Sequence, residues 1–259
     1  MGHKNLSSYK KNKTILVTGG TKGVGEEICF FLLKQNHVVY TVARNNLRSK
    51  KLKNYLGKNL FFYKSNLLND DSFNRFLNKI KNINFDIIIN NIGGGLGVRN
   101  VLSDYNDWYN VWKFNVGIAI KINNYFIKKM KRKKSGKLIH ISSMAGFNGG
   151  PPVYPYGGSP SYACSKAYLN MYIKTLGREL DKFNITVSGI APGPILIKNK
   201  HWDKLKKSNK KLFNKFIKEY VPTDKMLTIN QVIPVIKLLC DDKKSPFNSS
   251  VIKINGKNN

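Results

Sequence analysis

The stretch Lys13–Ile28, KTILVTGGTKGVGEEI, decides the fold. It opens with a short apolar, partly β-branched run, Thr14 to Val17. The run ends on glycines and passes into EEICFFLLKQN, which has helical spacing. A strand, a glycine-rich turn and a helix in this order form a phosphate cradle. The glycines allow a tight turn and close backbone approach, and the helix N-terminus favours a pyrophosphate. Glycines alone are a weak indication; their place after the first strand of a βαβ unit makes it strong. The spacing is G-x-x-x-G-x-G, on Gly19, Gly23 and Gly25.

Outward from this stretch the pattern repeats. HVVYTVAR reads as a second strand and LFFYKSNL as a third, followed by a helix through DDSFNRFLNKIKN. FDIIINN is a fourth strand, whose unbroken apolar run suits burial on both faces of a parallel sheet. A helical region spans roughly Asp104 to Lys131. KLIHISS is a fifth strand, Tyr162 to Lys182 a helix, ITVSGIAPG a sixth strand and SSVIKIN a seventh. Between the last two lies an amphipathic stretch, KHWDKLKKSNKKLFNKFIKEY. This alternation predicts a single α/β domain of the Rossmann type, a doubly wound seven-stranded parallel sheet flanked by helices, over residues 13–259. Residues 1–12 are polar and expected to form a loose arm.

The 259 residues carry 45 Lys and Arg against 14 Asp and Glu, a formal charge of +31. The lysines are spread along the chain and accompany Asn, Ile, Phe and Tyr, all with AT-rich codons. Base composition accounts for that pattern, and most of the charge reads as solvated surface; an acidic partner or phosphorylated substrate is the alternative. No nucleic-acid reader motif is present, so no specific nucleic-acid binding is expected. No signal peptide is evident, and no apolar run approaches about 18 residues, so no membrane span is expected. Cys29, Cys164 and Cys240 lack metal-ligand spacing and read as free buried thiols in a reducing compartment, the cytoplasm.

Three tyrosines crowd into VYPYGGSPSYACSK, Val153–Lys166. Only Tyr162 has a lysine four residues on, where both share one helix face. Tyr154 and Tyr156 lie among Pro and Gly, where no helix persists. A phenol with a pKa of about 10 is a reluctant proton relay at neutral pH, and a neighbouring ammonium is expected to lower that pKa.

Read together, these motifs resemble the short-chain dehydrogenase/reductase family, and the likeness runs over almost the whole chain. TGGTKGVG stands for its TGxxxGxG, NNIG (Asn90–Gly93) for NNAG, FNVG for its helix asparagine, ISSM for its serine and YACSK for YxxxK. APGPI matches its PG turn, and VPTDKM resembles its IPxxR segment. The resemblance implies a catalytic tetrad of Asn115, Ser143, Tyr162 and Lys166. Tyr162 would exchange the proton, Lys166 tune it and hold the nicotinamide ribose, and Ser143 bind the carbonyl oxygen. Asn115 would bind a water linking Lys166 to solvent, and as a polar residue inside a helix it also suits a kink. Strand alternation lets only one of Ser142 and Ser143 face the site; the family pattern selects Ser143.

Cofactor contacts are implied for Gly19, Thr21, Lys22, Gly23, Val24, Gly25, Arg44, Asn66, Leu67, Asn91, Tyr162, Lys166 and Ile195. The second strand ends on Ala43 and Arg44, with no carboxylate to repel a 2′-phosphate. Together with Lys22 this favours NADP(H) over NAD(H). Asn66, Ile92 and Ile197 replace the family's aspartate, alanine and threonine, and INGKNN replaces its terminal DGG. The segment between Ser143 and Tyr162 is longer than is common. That loop is expected to border the substrate pocket, with Tyr154 or Tyr156 as a wall, and residues 198–228 to cover the substrate.

The resemblance implies an NADPH-dependent carbonyl reductase, most like 3-oxoacyl-[acyl-carrier-protein] reductases. The substrate is a small ketone or alcohol, or an acyl-carrier-bound one. A reductase or dehydrogenase for a sugar, polyketide or other secondary metabolite, and a cofactor-binding regulator without catalysis, are the alternatives. A homotetramer or homodimer is expected from the family.

Overall fold

The computed structural model describes residues 12–241 and 246–255. All but the last residue of the predicted N-terminal arm, and most of the INGKNN tail, lie outside the described residues. Seven parallel strands form one sheet: β1 (Thr14–Thr18), β2 (Val38–Ala43), β3 (Leu60–Lys64), β4 (Ile87–Asn90), β5 (Gly136–Ile141), β6 (Ile185–Pro192) and β7 (Ser250–Ile254). Their order is β3-β2-β1-β4-β5-β6-β7. The helices are α1 (Gly23–Lys34), α2 (Lys50–Lys53), α3 (Asp70–Ile80), α4 (Tyr105–Trp112), α5 (Ile118–Lys133), α6 (Ala145–Asn148), α7 (Pro160–Leu180), α8 (His201–Ser208), α9 (Lys210–Tyr220) and α10 (Ile229–Cys240). None among the described residues is long and apolar enough to cross a membrane.

Period-2 alternation explains why both faces are covered. On β1, Ile15 and Val17 join one buried cluster with Ile28 and Leu32 of α1 and Ile236 of α10. Leu16, between them, joins the other, with Phe73 and Phe76 of α3, Phe126 of α5 and Ile173 of α7. β4 does the same, with Ile87 and Ile89 on the first face and Ile88 on the second. Strand order reverses between β1 and β4, which pair from Ile15 opposite Ile87 to Val17 opposite Ile89. At such a switch point the loops at the carboxyl ends diverge and leave a crevice.

Two expectations are refined and one is revised. The helical region from Asp104 to Lys131 is present as Tyr105–Lys133, with a π-helical turn, Lys113–Gly117, between α4 and α5. The stretch Lys200–Tyr220 is two helices, broken at Asn209, whose side chain accepts from Leu212 N at 2.9 Å to cap the second. Cys164 is exposed on α7 rather than buried, whereas Cys29 and Cys240 are buried. Burial pushes both of those thiols up to about 12, which leaves them inert.

Candidate active site

The glycine turn is locked by its neighbours. Thr41 Oγ1 accepts from Gly20 N at 3.0 Å and donates to Val17 O at 2.8 Å. Thr18 Oγ1 accepts from Asn91 N at 3.0 Å and Ile92 N at 3.1 Å. Asn91 Nδ2 donates to Thr18 O at 2.9 Å and Gly19 O at 3.3 Å. Gly19 has φ +69° and Gly23 φ +61°, and a Cβ on Gly25 would lie 2.4 Å from both Gly19 O and Asn91 Nδ2. Only glycine lets α1 begin this close to the turn, and a turn so packed against a helix N-terminus fits a dinucleotide phosphate. The crevice above holds about 440 Å³.

All the residues assigned to cofactor contact line this crevice except Ile195, which lines the neighbouring cavity. Arg44 lies at the far end, its guanidinium 5.4 Å from the centroid of the Phe114 ring. Among the described residues no Asp or Glu lines the crevice. Asn66 uses Oδ1 to accept from Leu68 N at 3.3 Å, forming a turn at the crevice wall. Sequence reasoning missed Lys200, which reaches the crevice from the segment preceding α8. A Cβ on Gly23 would lie 3.9 Å from its Cε. Burial, then the charge of Lys22, lowers its pKa. One lysine in a lysine-rich segment carries no sequence mark of this contact.

A second cavity, about 490 Å³, opens on the other side of Tyr162, which lines both. Pro160 at the first turn starts α7, its fixed φ suiting that position, and sets Tyr162 and Lys166 one turn apart on the helix. Lys166 Nζ lies 5.6 Å from the Tyr162 ring centroid and donates to Ile141 O at 2.8 Å. Ser143 lines the second cavity and hydrogen-bonds with the Tyr162 phenol. The Ser142 hydroxyl turns away, buried and bonded to Asn170 Oδ1 of α7. The two serines lie just beyond the end of β5, and their hydroxyls take different partners.

Asn115 sits in the π turn. Its Nδ2 donates to Val111 O at 2.8 Å and Gly94 O at 2.9 Å, and its Oδ1 accepts from Gly94 N at 2.9 Å. The widened turn and the Gly94 loop are thus joined by one amide. A Cβ on Gly93 would lie 2.7 Å from Asn115 Oδ1 and 3.0 Å from Lys166 Nζ. The glycine of NNIG is what lets loop, asparagine and lysine meet.

The electrostatics correct one expectation. In the protein itself the Tyr162 pKa is raised, not lowered: burial dominates and the Ser143 hydrogen bond offsets only part of it. Burial also pushes Lys166 down to about 7. Desolvation disfavours both phenolate and ammonium, and Lys166 directs its N–H to a backbone carbonyl. The phenol is therefore held in its proton-donor form, beside a lysine that exchanges protons near neutrality.

Of the two tyrosines in the long loop, Tyr156 is the cavity wall and Tyr154 is not: Tyr156 is 3% exposed and Tyr154 88%. Tyr156 packs at 5.3 Å from the rings of Phe216 and Tyr220 and donates its hydroxyl to Glu219 Oε2 at 2.6 Å. The loop closes on itself through Gly157 N to Val153 O, 2.6 Å, and Gly158 N to Pro152 O, 3.1 Å. Trp202 of α8 stacks on Phe216 of α9 at 3.9 Å.

The family model described as short chain dehydrogenase matches residues 13–208. The 3-oxoacyl-[acyl-carrier-protein] reductase FabG of Aquifex aeolicus is 28% identical over 252 residues, 95% of this chain and 97% of that protein. L-sorbose reductase from Gluconobacter frateurii, solved with NADPH and L-sorbose, superposes with TM-score 0.82 at 23% identity, over 95% of each chain. A short chain dehydrogenase from Leptospira borgpetersenii, solved with bound NAD+, also gives 0.82, at 19% identity over 99% of this chain and 96% of that one. The chain belongs to the short-chain dehydrogenase/reductase family of oxidoreductases and, within it, resembles the 3-oxoacyl-[acyl-carrier-protein] reductases.

Proposed function

We propose that the protein is an NADPH-dependent ketoreductase. The observation that carries the reading is the meeting of two cavities at the Tyr162 phenol. Tyr162 borders both the glycine-turn crevice and the pocket behind the long loop, with Ser143 bonded to it and Lys166 one turn on. NADP(H) bound in the crevice supplies the hydride. Gly19, Gly23 and Gly25 at the α1 N-terminus would hold its pyrophosphate, and Lys22 and Arg44 would take its 2′-phosphate. That no carboxylate lines the crevice among the described residues supports that choice of nucleotide.

Tyr162, neutral because of its burial, donates the proton to the carbonyl oxygen. The Ser143 hydroxyl holds that oxygen as charge develops on it. Lys166, with its pKa near neutrality, reprotonates the phenolate. Asn115 keeps the Gly93–Gly94 loop against Lys166; a relay water there would find one remaining lone pair on Oδ1. α8 and α9 cover the substrate.

Similarity to the Aquifex protein over almost its entire length supports a 3-oxoacyl thioester as substrate. A smaller free ketone is the second reading. The aromatic wall of Tyr156, Trp202, Phe216 and Tyr220 favours it by closing the far side of the pocket. NADPH oxidation over acetoacetyl thioesters, diketones and keto-sugars tests the proposal. Tyr162→Phe should lower kcat by about 10²- to 10⁴-fold, the usual worth of a positioned acid, and leave NADPH binding intact. Tight NADPH binding without turnover of any ketone would replace the ketoreductase with a regulator.

A further inference from the structure

The pocket beyond Tyr162 is chemically lopsided. Among the described residues no Asp or Glu lines it, and Arg99 is its one permanently charged side chain. Arg99 follows Val98, whose carbonyl accepts from Ser159 Oγ at 2.6 Å, tying its loop to the start of α7. A Cβ on Gly157 would lie 3.1 Å from Arg99 Nη1 and 3.2 Å from His201 Cε1, so guanidinium and imidazole close on the same glycine. Gly157 has φ +70°, which independently favours glycine there. His201 Nε2–H donates to Tyr156 O at 2.9 Å, which fixes the ring. Among the described residues, neither the Arg99 guanidinium nor His201 Nδ1 has a hydrogen-bond or ion-pair partner.

Arginine is not this chain's default cation: it has six, against 39 lysines. Two of the six, Arg44 and Arg99, stand at the two cavities. A guanidinium differs from an ammonium in offering a planar fork that matches carboxylate or phosphate oxygens in pairs. We propose that the pocket takes a ketone bearing its own anionic group, a carboxylate or phosphate, held by the Arg99 guanidinium while the carbonyl lies at Tyr162 and Ser143. This rests on the ketoreductase reading and names the substrate class for it.

The test pairs anionic and neutral ketones: acetoacetate, levulinate and 5-oxohexanoate against their methyl esters, and dihydroxyacetone phosphate against dihydroxyacetone. In at least one pair the native protein should favour the anion, chiefly through KM. Which pair responds distinguishes carboxylate from phosphate. Arg99→Ala should shrink that preference by about tenfold to a hundredfold, the worth of a charge-assisted hydrogen bond, and Arg99→Lys should keep part of it. Arg99 is exposed and unpaired, so the fold does not depend on it. Neutral members favoured in every pair, or a preference unchanged in Arg99→Ala, would overturn the proposal. If no ketone turns over, the ketoreductase reading fails on its own. Fluorescence of Trp202, which lines the same pocket, then decides the anion site by titration with levulinate and dihydroxyacetone phosphate, using Trp202→Phe as blank. Quenching that Arg99→Ala abolishes supports the site; no quenching refutes it.

Discussion

Lowering the pH from about 7.5 to about 5 should destabilise the protein through one buried ring, His140 on β5. Its Nε2 lies 3.4 Å from Asn123 Nδ2. That amide is oriented by its other bonds: its Oδ1 accepts from Asn90 Nδ2 at 3.0 Å, and its Nδ2 donates to Tyr172 OH at 3.1 Å. A proton on Nε2 would therefore face an N–H donor. Burial first, then the nearby charge of Lys166, pushes His140 from 6.5 down to about 3. Between these values the unfolded chain binds a proton that the native state does not. Unfolding takes up that proton, so stability is fully present above pH 6.5 and is lost as pH falls towards 3. Integrating from pH 7.5 to 5 gives about 2 kcal/mol, or roughly 4–8 °C in Tm for a chain of this size. The assay is thermal unfolding at both pH values for the native protein and His140→Leu. Comparing the pH-dependent change, not the absolute Tm, cancels the fixed cost of the lost Nε2 contact and the contribution of other titrating groups. If both proteins lose the same Tm over this range, His140 is not held neutral by its site and the reasoning fails.

Two further outcomes concern the cofactor. Arg44→Ala should weaken NADPH by about tenfold to a hundredfold, as loss of a charge-assisted contact does, and NADH far less; equal losses in fluorescence titrations would remove the 2′-phosphate from Arg44. Gly25→Ala forces a carbon to 2.4 Å from Gly19 O, so the turn must open. NADPH affinity should fall at least tenfold, with a stability cost of about 1–3 kcal/mol; unchanged affinity by calorimetry would mean that the phosphate does not lie in this turn.

What the sequence made legible is what depends on neighbours along the chain. Tyr162 and Lys166 are four apart on a helix, and Gly19 to Gly25 span one turn; each needs only local geometry. The strands were legible too, because Ile15 to Val17 and Ile87 to Ile89 supply apolar residues to both faces of the sheet. The π turn was not, since periodicity fits an α-helix through Lys113–Gly117 as well, and only the bonds from Asn115 to Val111 and Gly94 define the wider turn. The sign of the Tyr162 shift was misread for a related reason: spacing shows a lysine nearby but not that both groups are desolvated and that the ammonium is bonded to Ile141 O.

The residues that escaped sequence reading share one physical property: they act across loops. Lys200 reaches the glycine turn and His201 the long loop, from consecutive positions at the start of α8, so one backbone joint faces both cavities. Burial first, and then the charge of Lys22, holds the Lys200 pKa down at this joint. His201 is held through Tyr156 O, and Tyr156 through Glu219 of α9. The long loop thus serves as the surface against which α8 and α9 seat. It is long because it must carry a buried tyrosine to those helices and a glycine to Arg99, while returning to Ser159 in time to start the helix that presents Tyr162.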